Sequence, residues 1–134
     1  MIEKGTQACI DLFGCNENIL NDSIFLKNLI AKAVIDSDFV LVEKIKMHQF
    51  TPYGVTGYAL LASSHIAIHT WPEYNFASID IFACDSRKKV NTAIKTIING
   101  LNPKKVKSLI FSRGFICQNV NMNGLVLEPV ANAA

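Results

Sequence analysis

The chain has 134 residues, half of them apolar, enough for a single domain, residues 1–134, around one modest core. Its formal charge of +2 comes from Lys and Arg spread along the sequence, without the basic, aromatic-interleaved block of a nucleic-acid surface. No run of about 18 apolar residues occurs and the start MIEKGTQACIDLFGC has no leader pattern, so the expectation is a cytoplasmic protein without a membrane span.

The four cysteines, Cys9, Cys15, Cys84 and Cys117, form no CxxC pair, which argues against a zinc knuckle or a disulfide framework and suits a reducing compartment. Gln7 to Phe13 is short, apolar and closed by Gly14, the pattern of a first strand. Asn21-Asp22-Ser23 then offers a helix cap ahead of Phe25, Leu26, Leu29, Ile30, Ala33 and Val34 at helical spacing.

A second strand is expected from Phe39 to Phe50, where a β-branched start passes into alternation of Ile45 and Met47 with Lys44, Lys46 and His48. Thr51-Pro-Tyr-Gly54 reads as a turn and Val55 to Ser63 as the third strand. Ser64 to Thr70 and Phe76 to Cys84 flank WPEYN, whose Pro72 and Asn75 disfavour continuation, so an antiparallel hairpin is predicted.

Ser86 caps a second helix with an apolar stripe of Val90, Ala93, Ile94, Ile97, Ile98 and Leu101, ended by Gly100 and Asn102-Pro103. Lys105 to Arg113 follows as a strand, and the tail from Gly114 to Ala134 offers one short strand near Leu125. These elements predict an α+β two-layer sandwich, an antiparallel β-sheet with two helices on one face. The other face needs a cover, and a second subunit is the expected one.

Chemistry concentrates in Ala62 to Asp85. Strand alternation puts His65, Ala67 and His69 on one face and Ser64, Ile66 and Ile68 on the other; Ser78, Asp80, Phe82 and Cys84 share a face on the partner run. Such alternate polar positions either face water or build a site at an interface. His65, His69 and Cys84 are legitimate metal ligands, but two strand histidines four residues apart stand about 13 Å apart, so no metal is expected. A serine hydrolase built on Ser63 or Ser64 with Asp80 lacks the GxSxG elbow.

Ser64-His-Ile-Ala-Ile-His-Thr-Trp-Pro-Glu73, followed by Phe76-Ala-Ser-Ile-Asp80 and preceded by Thr51-Pro-Tyr-Gly-Val-Thr-Gly57, resembles the signature of the S-adenosylmethionine decarboxylase proenzymes, the small prokaryotic type above all. The resemblance implies that Ser64 attacks the carbonyl of Ser63, converting the amide to an ester. Elimination then divides the chain into fragments 1–63 and 64–134, and residue 64 ends as a pyruvoyl cofactor. That carbonyl would condense with the substrate's amine and draw off the electrons released with carbon dioxide, without a metal or an added cofactor.

The resemblance also assigns roles by position. His69 is the proton mover of self-cleavage and Thr56 stands where a serine hydroxyl usually assists it. Cys84 returns a proton to the decarboxylated carbon; read alone, it is a small buried hydrophobe. Phe50, Trp71 and Glu73 fall where the nucleoside is held, although on their own the two aromatics would be core or interface residues. A homodimer is implied, with Ser64 and Cys84 of one subunit meeting Phe50, Thr56, His69 and Glu73 of the other. The product would be the aminopropyl donor for spermidine.

Two departures stand out, Ser63 in place of a common glutamate and Asp85 in place of a common glycine. They leave room for two other readings: a pyruvoyl decarboxylase of arginine or ornithine, and an unprocessed, catalytically silent subunit.

Overall fold

The computed structural model describes residues 4–84 and 86–114, together with the backbone of two short strands in the tail. Six strands form one sheet: β1 (Gly5–Phe13), β2 (Lys46–Gln49), β3 (Val55–Leu61), β4 (Ser64–Trp71), β5 (Phe76–Ala83) and β6 (Lys105–Arg113). Their order across the sheet is β2-β3-β4-β5-β1-β6, and every neighbouring pair is antiparallel. The first strand therefore lies between two strands that come much later in the sequence.

Among the described residues three helices, α1 (Glu17–Leu20), α2 (Ser23–Asp36) and α3 (Arg87–Leu101), join the sheet to make the expected α+β sandwich. Only two were expected. Helix α1 is a single turn, too short for a periodic stripe, and its sequence signal is the Asn16 cap, whose side chain accepts from the Asn18 and Ile19 amides. Asp22 caps α2 in the same way, accepting from Ile24 and Phe25. Ser86 caps α3 through the Lys89 amide.

The core lies between the sheet and these helices. Ala8, Ile10 and Leu12 of β1, Ile66 and Ile68 of β4, and Ile79 and Ile81 of β5 meet Leu26, Ile30 and Ala33 of α2 and Val90, Ala93 and Ile97 of α3 in one buried cluster. Phe25, which shares the helical spacing of the apolar residues of α2, is exposed. Gly100 does not end α3; it is a helical residue against which Leu29 packs so closely that any Cβ would collide with it. Helix α3 ends one step later, where Asn102 takes a left-handed φ of 43°.

The expected long second strand is shorter. Leu41 makes an isolated bridge to Leu61, but the next regular pair is Lys46 with Tyr58, so five steps of one chain segment run opposite three of the other. The surplus interrupts the ladder, as a bulge does. Strand β3 likewise stops at Leu61, because Ala62 and Ser63 form the turn into β4. In the tail, Asn121–Met122 (β7) pairs with Leu125–Val126 (β8), which places the expected strand at Leu125; the rest of the tail lies outside the described residues.

Candidate active site

Alternation on β4 and β5 fixes which side chains leave the core. Ser64, Ile66 and Ile68 point toward the helices, whereas His65, Ala67 and His69 lie on the open face with Ser78, Asp80 and Phe82. Two groups of candidate residues emerge, at opposite ends of the sheet.

At one end is the turn that joins β3 to β4. Ser63 sits in it with a φ of +61°, a left-handed conformation that a side chain with a Cβ disfavours by roughly 1 kcal/mol. Ser64 follows immediately, pairs with Leu61 on one side and with Ala83 on the other, and is only 7 % exposed. Since Ala83 is its partner, the exposed Cys84 one residue further on belongs to this end too.

At the other end, Thr56 pairs with His69, and their side chains share a hydrogen bond, Oγ1 to Nδ1, at 3.1 Å. Trp71 continues the same face, with its ring centroid 6.3 Å from that of His69. Pro72–Tyr74 then forms a 3-10 turn that carries Glu73, and Asn75 closes it with a φ of 53°. Phe50, Thr56, His69, Trp71 and Glu73 line a single cleft of about 430 Å³, within the usual range for small-molecule sites of roughly 300–1,000 Å³.

Each sequence-derived candidate is thus accounted for, but they are not all together. Five residues of strand separate Ser64 from His69, on the order of 16 Å within one chain. Phe50, Thr56, His69, Trp71 and Glu73 line one cleft; Ser63, Ser64 and Cys84 lie at the other end of the strands. Tyr53 and Thr51 also line the cleft, and the sequence had marked them only as turn residues.

Toward the Ser64 end, the open face holds a polar chain. Arg113 donates to Gln7 Oε1 at 3.1 Å, Gln7 Nε2 donates to Asp80 Oδ1, and Asp80 Oδ2 stands 2.7 Å from His65 Nε2. Arg113 also lies 5.2 Å over the Phe82 ring. An aromatic row crosses the sheet at the other end, Trp71 against Phe76 at 5.3 Å and Phe76 against Phe13 at 5.1 Å. Polar positions that could have been merely water-facing therefore form a connected surface.

A larger cleft of about 780 Å³, lined by Cys15, Asn16, Asn75 and Lys104 among others, lies apart from both groups. Burial pushes the Cys15 thiol up from its ordinary range, which keeps it protonated and poorly reactive. Among the described residues no helix is long and apolar enough to cross a membrane.

Comparison with known proteins gives a consistent answer. The sequence profile described as S-adenosylmethionine decarboxylase matches residues 6–114. An S-adenosylmethionine decarboxylase proenzyme of Thermodesulfovibrio yellowstonii is 35 % identical over 87 % of this chain and 85 % of its own. One from Methanococcus vannielii is 37 % identical, over 87 % and 94 % respectively. The crystal structure of the adenosylmethionine decarboxylase from Aquifex aeolicus superposes with a TM-score of 0.82 at 32 % identity, covering 91 % of this chain and all of that one.

Proposed function

Since the chain belongs to the S-adenosylmethionine decarboxylase family, we propose that it is a proenzyme that cuts itself between Ser63 and Ser64 and then, as a homodimer, decarboxylates S-adenosylmethionine. The observation that carries the reading is the turn itself. A left-handed Ser63 directly precedes a buried serine whose backbone is pinned in ladders on both sides.

In the cut, Ser64 Oγ attacks the Ser63 carbonyl carbon, the amide becomes an ester, and the freed nitrogen takes up the hydroxyl's proton. Loss of the Ser64 α-proton then expels the ester as the carboxylate that ends residues 1–63. Water removes ammonia from what remains, and residue 64 becomes a pyruvoyl group heading residues 64–134. The surroundings fit such a group: Leu61 and Ala83 hold the start of β4 in place, and burial keeps bulk water away. Once formed, it supplies an electrophilic ketone and electron sink that no natural side chain offers.

The other residues divide the remaining work. The Thr56 hydroxyl and the His69 imidazole, already joined, hold and move a proton during cleavage. Cys84, beside residue 64, returns a proton to the substrate carbon that has lost carbon dioxide. Phe50 and Trp71 present aromatic faces to the adenine and the sulfonium, and the exposed Glu73 carboxylate accepts from the ribose hydroxyls.

Because the two groups stand apart within a chain, the site is completed by a twofold partner that packs against this sheet with strands reversed, so that the 63–64 turn at the end of one sheet, rather than a side chain on its open face, reaches the cleft of the other. Ser64 and Cys84 of one protomer then meet Phe50, Thr56, His69, Trp71 and Glu73 of the other. The same pairing covers the aromatic row and the Arg113–Gln7–Asp80–His65 chain, and the free thiols of Cys9, Cys15 and Cys84 suit the reducing cytoplasm.

An aromatic-walled cleft with one carboxylate favours a nucleoside-bearing cation over arginine or ornithine. Intact-mass measurement with rates on all three amino acids tests this. Two fragments meeting at Ser63 and Ser64, the larger one blocked at its start, with S-adenosylmethionine the preferred substrate, are expected. A single uncut chain in active preparations would overturn the reading, and preference for arginine or ornithine would overturn the substrate.

A further inference from the structure

Residues 50–54 carry Phe50, Thr51 and Tyr53 into the cleft. The loop closes on itself by one backbone bond, from Phe50 N–H to Gly54 carbonyl at 2.8 Å. Its other attachments run to Asn21 in the helical layer and to Gln49 of β2. The Asn21 carbonyl oxygen Oδ1 accepts from the Gly54 amide at 2.9 Å and from Gln49 Nε2 at 2.8 Å, while Gln49 Nε2 also donates to the Gly54 carbonyl at 3.1 Å. One residue back, the Leu20 carbonyl accepts from Thr70 Oγ1 at 2.7 Å, and that hydroxyl accepts from the Val55 amide at 2.9 Å.

Gly54 is buried and has a φ of +105°, and a Cβ on it would press against the Thr70 carbonyl at 3.1 Å. A buried amide is satisfied by a partner or destabilises the fold. Here that partner is a side chain 33 positions earlier, at the junction of α1 and α2. Asn21 lines a second cleft with Tyr53 and Glu73, behind the wall that faces His69.

We infer that Asn21 is a positioning residue for substrate recognition: its single oxygen holds the 50–54 loop, and through it Phe50 and Tyr53, against Trp71 and Glu73. The inference rests on the proposed reading of this cleft as the nucleoside site. Both bonds use Oδ1 as acceptor and neither uses the amide nitrogen, so an aspartate carboxylate serves in the same place and an alanine does not.

The test compares wild type with Asn21→Asp, Asn21→Ala and Gln49→Leu, the last removing both Gln49 Nε2 bonds, to Asn21 and to the Gly54 carbonyl, from exposed β2 without disturbing the α1–α2 junction. Asn21→Ala is expected to speed hydrogen exchange at the Gly54 amide of the substrate-free protein and to raise KM for S-adenosylmethionine roughly tenfold, with kcat and self-cleavage little changed. Gln49→Leu moves KM the same way by less, and Asn21→Asp stays near wild type. Loss of binding in Asn21→Asp as severe as in Asn21→Ala, or an unchanged KM in both Asn21→Ala and Gln49→Leu, would overturn the inference. Should Asn21→Ala not fold, Gln49→Leu and Asn21→Asp decide alone. If wild type does not consume S-adenosylmethionine, the substrate reading fails, and exchange at Gly54 still decides whether Asn21 holds the loop.

Discussion

Two inactive chains should rescue one another. A Ser64→Ala chain has no nucleophile and a His69→Ala chain lacks the proposed proton mover, so neither is expected to be cut as a homodimer. About 16 Å of strand separates the two positions within a chain, against roughly 3 Å for a proton-transferring hydrogen bond. In a mixed dimer, one composite site receives Ser64 from the His69→Ala chain and His69 from the Ser64→Ala chain, and is intact; the other lacks both. Random pairing at equal amounts makes about half of the dimers mixed, so about half of the His69→Ala chains, a quarter of all chains, should be cut. Co-expression of the two chains with different affinity tags, followed by intact-mass analysis, reads this directly. Cleavage confined to the His69→Ala chain is the expected signature. If tag-captured mixed dimers contain no fragments, or if His69→Ala is cut by itself, the composite site is wrong.

Other consequences are simpler to check. Cys84→Ser should leave the cut intact and lower kcat for decarboxylation by at least about tenfold, with KM little affected, in single-turnover and steady-state assays. In an uncut Ser64→Ala background, Ser63→Val should destabilise the fold by about 1–2 kcal/mol in urea, because a β-branched residue resists a positive φ, whereas Ser63→Asn should be near neutral. Asp36 accepts from Lys32 Nζ at 2.7 Å and from Thr96 Oγ1 at 2.8 Å, and these bonds hold its carboxyl below the ordinary carboxylate range. A depressed carboxyl stabilises fully above its unfolded value, near pH 4, and loses that contribution as pH falls through the folded one. Melting temperatures of wild type and Asp36→Asn should therefore differ by a constant amount above about pH 5 and converge below about pH 4.

Strong periodicity made most of the fold readable. Ile66, Ile68, Ile79 and Ile81 alternate so regularly that their faces followed from spacing, and β6 appears with its expected ends. Leu41 to Ile45 looked like strand because the residues favour extended backbone; the surplus against β3 that breaks the ladder depends on register, which the segment does not contain. Gly100 looked like a stop because its role is set by Leu29, some seventy positions away. At the site, the Ser64-to-Glu73 motif named the reacting candidates, and strand spacing already implied that Ser64 and His69 stand apart. Asn21 was legible only as a helix cap. Its bonds to Gln49 and Gly54 join residues with no shared local pattern.

Strand order gives the proposed cut a further consequence. Residues 1–63 hold β1, β2 and β3, and residues 64–134 hold β4, β5 and β6, yet β1 is clasped between β5 and β6, and β3 lies against β4. Severing the turn, as proposed, would leave two polypeptides woven through one sheet, with no flexible tether to bring them back together. On that proposal folding has to finish before cleavage, and thermal history would become part of the enzyme's identity. A melted precursor could regain its protomer fold at any dilution, whereas a melted processed molecule would have to wait for its other half to diffuse to it.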